Sequence, residues 1–304
     1  MSSATGRPRG SARVWQAHEV TPAQLAALPR PLAFVLPGGG ALGSYQVGVL
    51  RALTEAGVTP DLLIGVSAGS VNAALFAWNG GLDGLQRMEA IWRSIRRRDL
   101  MRVHPGRLAL AFAGRQPSFL DNRHGAAFLR RHLGDRQLEH APTRLALVAT
   151  DLATGEAVPL LRGNTARAVL ASSAFPGVYP PVELDGRMLI DGGVVADVPL
   201  DLAVQLGAAT ALVLSVPPLS TEDTPRRAID ILFRASSLGV EAHGRTVLRR
   251  PPPGLFVVEV PATPSALTTF DVGRSAFMID EGHAAASEWL HGAAEPATGS
   301  APSS

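Results

Sequence analysis

Leu32-Ala-Phe-Val-Leu36-Pro-Gly-Gly-Gly40-Ala-Leu-Gly43 and Asp61-Leu-Leu-Ile-Gly65-Val-Ser67-Ala-Gly69 repeat one pattern. In each, a short apolar run enters a glycine cluster and a helical pattern follows, which reads as strand, tight loop and helix N-terminus. The first loop is made of glycines and small residues, so it can offer backbone N–H groups and a helix start, a setting suited to negative charge. The second sets Ser67 at the tip of a Gly-x-Ser-x-Gly turn, where Gly65 and Gly69 permit the strained backbone that exposes a hydroxyl. An anion cradle beside an exposed serine suits acyl transfer. Such chemistry also needs a base.

Working outward, Thr21-Pro22 reads as the capped start of a short helix. Residues 85–101 read as an amphipathic helix with Leu85, Met88, Ile91, Trp92 and Ile95 on one side and Arg93, Arg96, Arg97 and Arg98 elsewhere. The plain reading is a surface helix with a solvated basic end; the sharper one is contact with an anionic lipid surface through Trp92 and the arginines. Residues 102–116 have a weak pattern and read as a loop or lid, and Asp121-Asn122 as the start of a helix over 123–133. Strands are expected at 143–150 and 157–161, and a helix at 165–174. Asp185-Gly186 between two apolar runs predicts a hairpin, so that Asp191-Gly192-Gly193 stands where its second strand ends. Helices over 200–206, 228–248 and 274–290 and strands over 211–216 and 255–260 complete the pattern. Strands alternating with helices, plus an antiparallel portion, predict a mostly parallel α/β sheet covered on both faces.

The chain of 304 residues, 46% of them hydrophobic, is long enough for one large core. The expected organisation is a mobile segment over 1–30, a single domain over 31–291 and a disordered tail over 292–304. No apolar run reaches the roughly 18 residues of a membrane span, and residues 1–30 lack the apolar block of a signal peptide, so a cytoplasmic location is expected. The absence of cysteine excludes disulfides, thiolate catalysis and Cys-based zinc sites. The isoelectric point near 9.8 contrasts with a net charge of only +2. All basic side chains are arginine, so little titrates between neutrality and that value, and no aromatic-interleaved basic tract supports nucleic-acid binding.

With Gly38-Gly-Gly-Ala-Leu-Gly43, Gly65-Val-Ser-Ala-Gly69 and Asp191-Gly-Gly193 in this order, the chain resembles the patatin-like phospholipase family. The similarity extends to Ala149-Thr-Asp-Leu152, Ala171-Ser-Ser-Ala174 and the region around 270–290, and so covers nearly all of the chain except its ends. The resemblance implies a three-layer α/β/α fold and a Ser-Asp dyad with Ser67 as nucleophile and Asp191 as general base. It implies an oxyanion hole in the loop of Gly38, Gly39, Gly40 and Ala41, and hydrolysis of a lipid or acyl ester without metal or cofactor. Two positions depart from the pattern. Many members carry Arg or Lys at Leu42, so neutral esters and acyl-thioesters stand beside phospholipids as expected substrates. Many carry Asn at Asp197, where a carboxylate would order the loop after the base and act electrostatically on Asp191.

Two rivals remain at this stage. Gly38-x-Gly40-x-x-Gly43 also fits a dinucleotide fingerprint, but the acid that fingerprint wants about 20 residues on is misplaced, because Asp61 precedes its strand. The order Ser67, Asp191, then His243 or His283 is that of an α/β-hydrolase triad. Both histidines fall inside predicted helices, whereas a triad histidine is usually delivered by a loop.

Overall fold

A computed structural model describes residues 13–15, 21–96, 113–218, 228–265 and 271–291, with positions 106, 110, 111, 267 and 269. Its strands are β1 (Arg13–Trp15), β2 (Leu32–Leu36), β3 (Leu62–Val66), β4 (Arg144–Asp151), β5 (Ala157–Leu160), β6 (Val182–Leu184), β7 (Arg187–Asp191), β8 (Thr210–Leu214) and β9 (Phe256–Val260). They form one sheet in the order β1-β9-β8-β2-β3-β4-β7-β6, with β5 also paired to β4. Pairings from β1 to β4 across that order are parallel, and those of β5, β6 and β7 antiparallel.

β2 and β3, at the centre of the sheet, carry no polar side chain because both faces are covered. Phe34, Leu36, Leu63, Leu212 and Val258 point into one core, beneath α2 (Ser44–Glu55), α3 (Ala68–Trp78), α4 (Leu82–Ser94) and α10 (Ser275–His291). Their neighbours Val35, Ile64, Val213 and Val257 point into the other, against α8 (Leu200–Gln205) and the end of α9 (Ala228–Arg249). Alternation along each strand thus builds the three-layer α/β/α arrangement. The remaining helices are α1 (Pro22–Ala26), α5 (Arg123–Leu133), α6 (Thr165–Ser172) and the single turn α7 (Gly193–Ala196). Among the described residues no helix is long and apolar enough to cross a membrane.

Three expectations need correction. Within the segment expected to be mobile over 1–30, residues 13–15 add an edge strand beside β9, while the short helix expected from Thr21-Pro22 is present as Pro22–Ala26, closed by a Thr21–Gln24 capping box. The helix expected over 85–101 runs from Leu82 to Ser94, because Ile95 is already extended. Trp92 does not face a lipid surface: it is 5% exposed and its Nε1 donates to Asn72 Oδ1 at 2.8 Å. Arg93 pairs with Glu89 and Asp280, while Arg97, Arg98 and most of the expected 102–116 loop lie outside the described residues, as does the expected tail over 292–304.

Candidate active site

The site lies at the C-terminal ends of the parallel strands β2 and β3, whose loops and helix starts point the same way, and the antiparallel β7 brings its last residue to that level beside β4. Ser67 follows β3 and has φ 52° and ψ −123°, a strained conformation at the turn into α3. The neighbouring glycine makes that turn possible: a Cβ on Gly69 would stand 2.0 Å from the carbonyl oxygen of Leu36. The Ser67 amide donates to Ser172 Oγ at 3.0 Å, and that hydroxyl donates to the Val148 carbonyl at 2.6 Å. Ser172, in α6, therefore anchors the Ser67 backbone to β4. Its stretch was singled out in the sequence, but this role was not.

Asp191 ends β7 opposite Ala149 of β4. Its main chain is fixed from both sides, the amide donating to Ala174 O at 3.0 Å and the carbonyl accepting from Thr150 Oγ1 at 2.9 Å. The side chain is 3% exposed, and each oxygen has a partner. Oδ2 accepts from Ser67 Oγ at 2.6 Å, and Oδ1 accepts from the Gly193 amide at 2.8 Å. Burial pushes this carboxyl up to about 6, and the hydrogen bonds from Ser67 and Gly193 hold it back from rising further.

The glycine loop passes alongside. Gly40 has φ 58°, and a Cβ there would stand 2.5 Å from Thr269 O, so the position tolerates no side chain. The four amides expected to act together are divided. Gly38 N–H donates to Asp197 Oδ1 at 2.8 Å, and Ala41 N–H donates to Thr269 O at 2.8 Å. Those of Gly39 and Gly40 have no acceptor among the described residues. Asp197 is a second buried carboxyl: a methyl group placed on Gly193 would stand 3.2 Å from Oδ1 of both Asp191 and Asp197. Burial pushes Asp197 up to about 7, against the Gly38 hydrogen bond and with the help of the neighbouring Asp191 charge.

Ser67, Asp191 and the glycine loop open into a cavity of about 650 Å³. Its walls are largely apolar, with Trp92, Phe128, Leu129, Leu170, Val178 and Val240 among them. That volume is within the usual range for a site enclosing one small organic molecule. Among the described residues no histidine lines it; His283 is engaged by Glu55 at 2.7 Å and His243 is exposed on α9. Neither candidate triad histidine is therefore brought to Ser67 and Asp191. No group of three or more His, Asp or Glu among the described residues is arranged to hold a metal ion.

Comparison with known proteins adds an independent line. The family model for Patatin-like phospholipase matches residues 34–204, more than half of the chain. An uncharacterized NTE family protein of Mycobacterium bovis is 33% identical over 199 residues, 64% of this chain and 51% of that protein. Lysophospholipase NTE1 of Phaeosphaeria nodorum is 28% identical over 211 residues, 67% of this chain and 13% of its own length. The chain thus spans about half or less of these curated relatives. Among solved structures, VipD from Legionella pneumophila aligns over 86% of this chain and 67% of its own, with 16% identity and a TM-score of 0.43.

Proposed function

The chain belongs to the patatin-like phospholipase family, and from that premise we propose that it is a serine lipid acyl hydrolase working through an acyl-enzyme on Ser67. The observation that carries this reading is the 2.6 Å hydrogen bond from Ser67 Oγ to Asp191 Oδ2 at the floor of an apolar cavity. Asp191 takes the hydroxyl proton as Ser67 Oγ attacks the ester carbonyl carbon, and the carbonyl oxygen becomes an oxyanion. The uncommitted amides of Gly39 and Gly40 are the donors for that charge, and losing one such donor costs about 3–4 kcal/mol of transition-state stabilisation. Collapse of the tetrahedral centre breaks the ester C–O bond, and the departing alcohol takes the proton from Asp191. A water molecule, losing its proton to the same carboxylate, then attacks the acyl-enzyme, releases the fatty acid and returns the proton to Ser67.

The apolar walls suit an acyl chain, and on α9, whose later turns line the cavity, Ile231, Leu232 and Leu238 are exposed. These residues give the reading a side from which a lipid surface can supply substrate. The dinucleotide reading is disfavoured by chemistry, because a pyrophosphate would have to settle on a loop whose Gly38 amide is already held by a carboxyl, with a second carboxyl beside it.

A fluorophosphonate probe tests the reading. Covalent labelling should map to Ser67 and vanish in Ser67→Ala, with fatty acid released from lysophospholipid, diacyl phospholipid, neutral glyceride or p-nitrophenyl esters. Hydrolysis should quicken with chain length as more of the acyl chain is buried. Binding of NAD(P) without labelling would reject it.

A further inference from the structure

Behind the glycine loop, three buried side chains from three helices meet in a closed set of hydrogen bonds. Gln46 Nε2 of α2 donates to Pro37 O at 2.9 Å and to Leu214 O, at the end of β8, at 3.0 Å. Asn72 Nδ2 of α3 donates to Gly43 O at 2.8 Å and to Gln46 Oε1 at 2.9 Å. Trp92 Nε1 of α4 donates to Asn72 Oδ1 at 2.8 Å. Gln46 and Asn72 have no exposed surface. Turning either amide over would set donor against donor, so both orientations are dictated by their surroundings.

Two of the three backbone carbonyls this set holds belong to Pro37 and Gly43, which bracket the loop bearing Gly39 and Gly40. We propose that Gln46, Asn72 and Trp92 form a clamp that fixes both ends of the loop, and that Asn72, its central member, is a positioning residue for the reaction. This rests on the acyl hydrolase reading given above. An oxyanion site works only if its donors are already in place when charge develops, and small displacements of such donors are costly. A loop of glycines has no side-chain packing to hold it there, so the restraint must come through its main chain. Trp92 also joins the clamp to substrate: its indole lines the cavity, with Cη2 3.7 Å from where a Cβ on Gly43 would lie. The chain being cleaved would thus lie against a residue that orients the clamp.

A packing role and a positioning role differ in what they change. Asn72→Leu, close in volume, removes every hydrogen bond of the central residue, and Trp92→Phe removes a single donor while keeping an aromatic ring. On a p-nitrophenyl ester, Asn72→Leu should lower kcat on the order of 10²-fold with KM little changed, as expected when reacting groups are misplaced rather than substrate lost. Trp92→Phe should shift kcat the same way by a smaller factor. Affinity for a trifluoromethyl ketone, which forms an oxyanion on Ser67, should fall in parallel with kcat. Val257→Ala, in the opposite core, should lower Tm and leave kcat alone. Wild-type kcat in folded Asn72→Leu, or in Trp92→Phe should the first variant not fold, overturns the proposal, as does an equal loss in Val257→Ala. Failure of the wild-type protein to hydrolyse any ester or to be labelled at Ser67 would instead overturn the functional reading beneath it.

Discussion

A carboxylate with an ordinary pKa near 3.9 attracts a proton too weakly to serve a serine hydroxyl well, so the surroundings of Asp191 decide whether the dyad can work. Burial supplies the correction, raising the group to about 6 against the pull of its bonds from Ser67 and Gly193. In the proposed reaction the deprotonated form is the base, so kcat/KM should climb as pH rises through about 6 and level off above it, lost again on acidification. Asp191→Asn keeps an acceptor for the Gly193 amide but cannot take a proton, and should cost roughly 10²–10⁴-fold in kcat without disturbing the fold. A pH–rate profile of the wild type and single-turnover kinetics of the variant check both statements. Ser67 could be picked out in the sequence from its Gly-x-Ser-x-Gly turn after an apolar run, and Asp191 only through the family resemblance, since Asp-Gly-Gly alone reads as a plain turn. Gln46 and Asn72 could not, since an amide on a helical pattern reads as a polar face, and only the tertiary fold shows both to be fully buried. The same holds for the division of the loop amides, which depends on Asp197 and Thr269, both more than 150 positions away in the chain.

The hairpin of β6 and β7 brings Asp191 to the serine, and here the local sequence was sufficient. Asp185 and Gly186 have φ of 50° and 73°, the left-handed pair of a two-residue turn whose twist matches its strands. Leu184 pairs with Arg187, which fixes the register that delivers Asp191 to the strand end. Gly186→Ala forces a Cβ into that conformation and should cost about 1–2 kcal/mol, seen as a lower denaturation midpoint. Its kcat should stay near the wild-type value, because Thr150 and Ala174 hold the Asp191 main chain independently of the turn. In α4 the apolar stripe is legible, but a repeat of 3.6 residues does not reveal where the chain leaves the helix, nor that the Trp92 N–H has an internal partner. β1 carried too little signal, since three residues offer barely one alternation and its partner β9 lies more than 240 positions on.

Across the whole molecule, one sheet with both faces covered sets two carboxyls in the same interior, and this has a thermodynamic consequence beyond catalysis. The parallel sheet and its layers followed from strand–helix alternation. The effect of Asp197 on Asp191 was expected from the resemblance, but its bond to the Gly38 amide was not, because that depends on how α7 turns back against the glycine loop and α9. Both carboxyls are raised above their unfolded values, to about 6 and about 7. Below the ordinary carboxylate range both are neutral in the folded and unfolded chain, and their contribution to stability is fully present. It is lost as pH rises through the folded values, because the unfolded chain gives up these protons more readily than the native one. Asp197→Asn retains an acceptor for Gly38 N–H but has nothing to ionise. Any fixed difference in packing or hydrogen bonding between the two side chains shifts Tm equally at every pH, and histidines titrate alike in both proteins. The Tm of Asp197→Asn minus that of wild type should therefore grow more positive as pH rises from 5, most steeply below about 7, and level off above it. Paired thermal melts from pH 5 to pH 8 measure it, and a flat difference would mean that Asp197 is already ionised in the folded protein at pH 5, so that burial does not raise it.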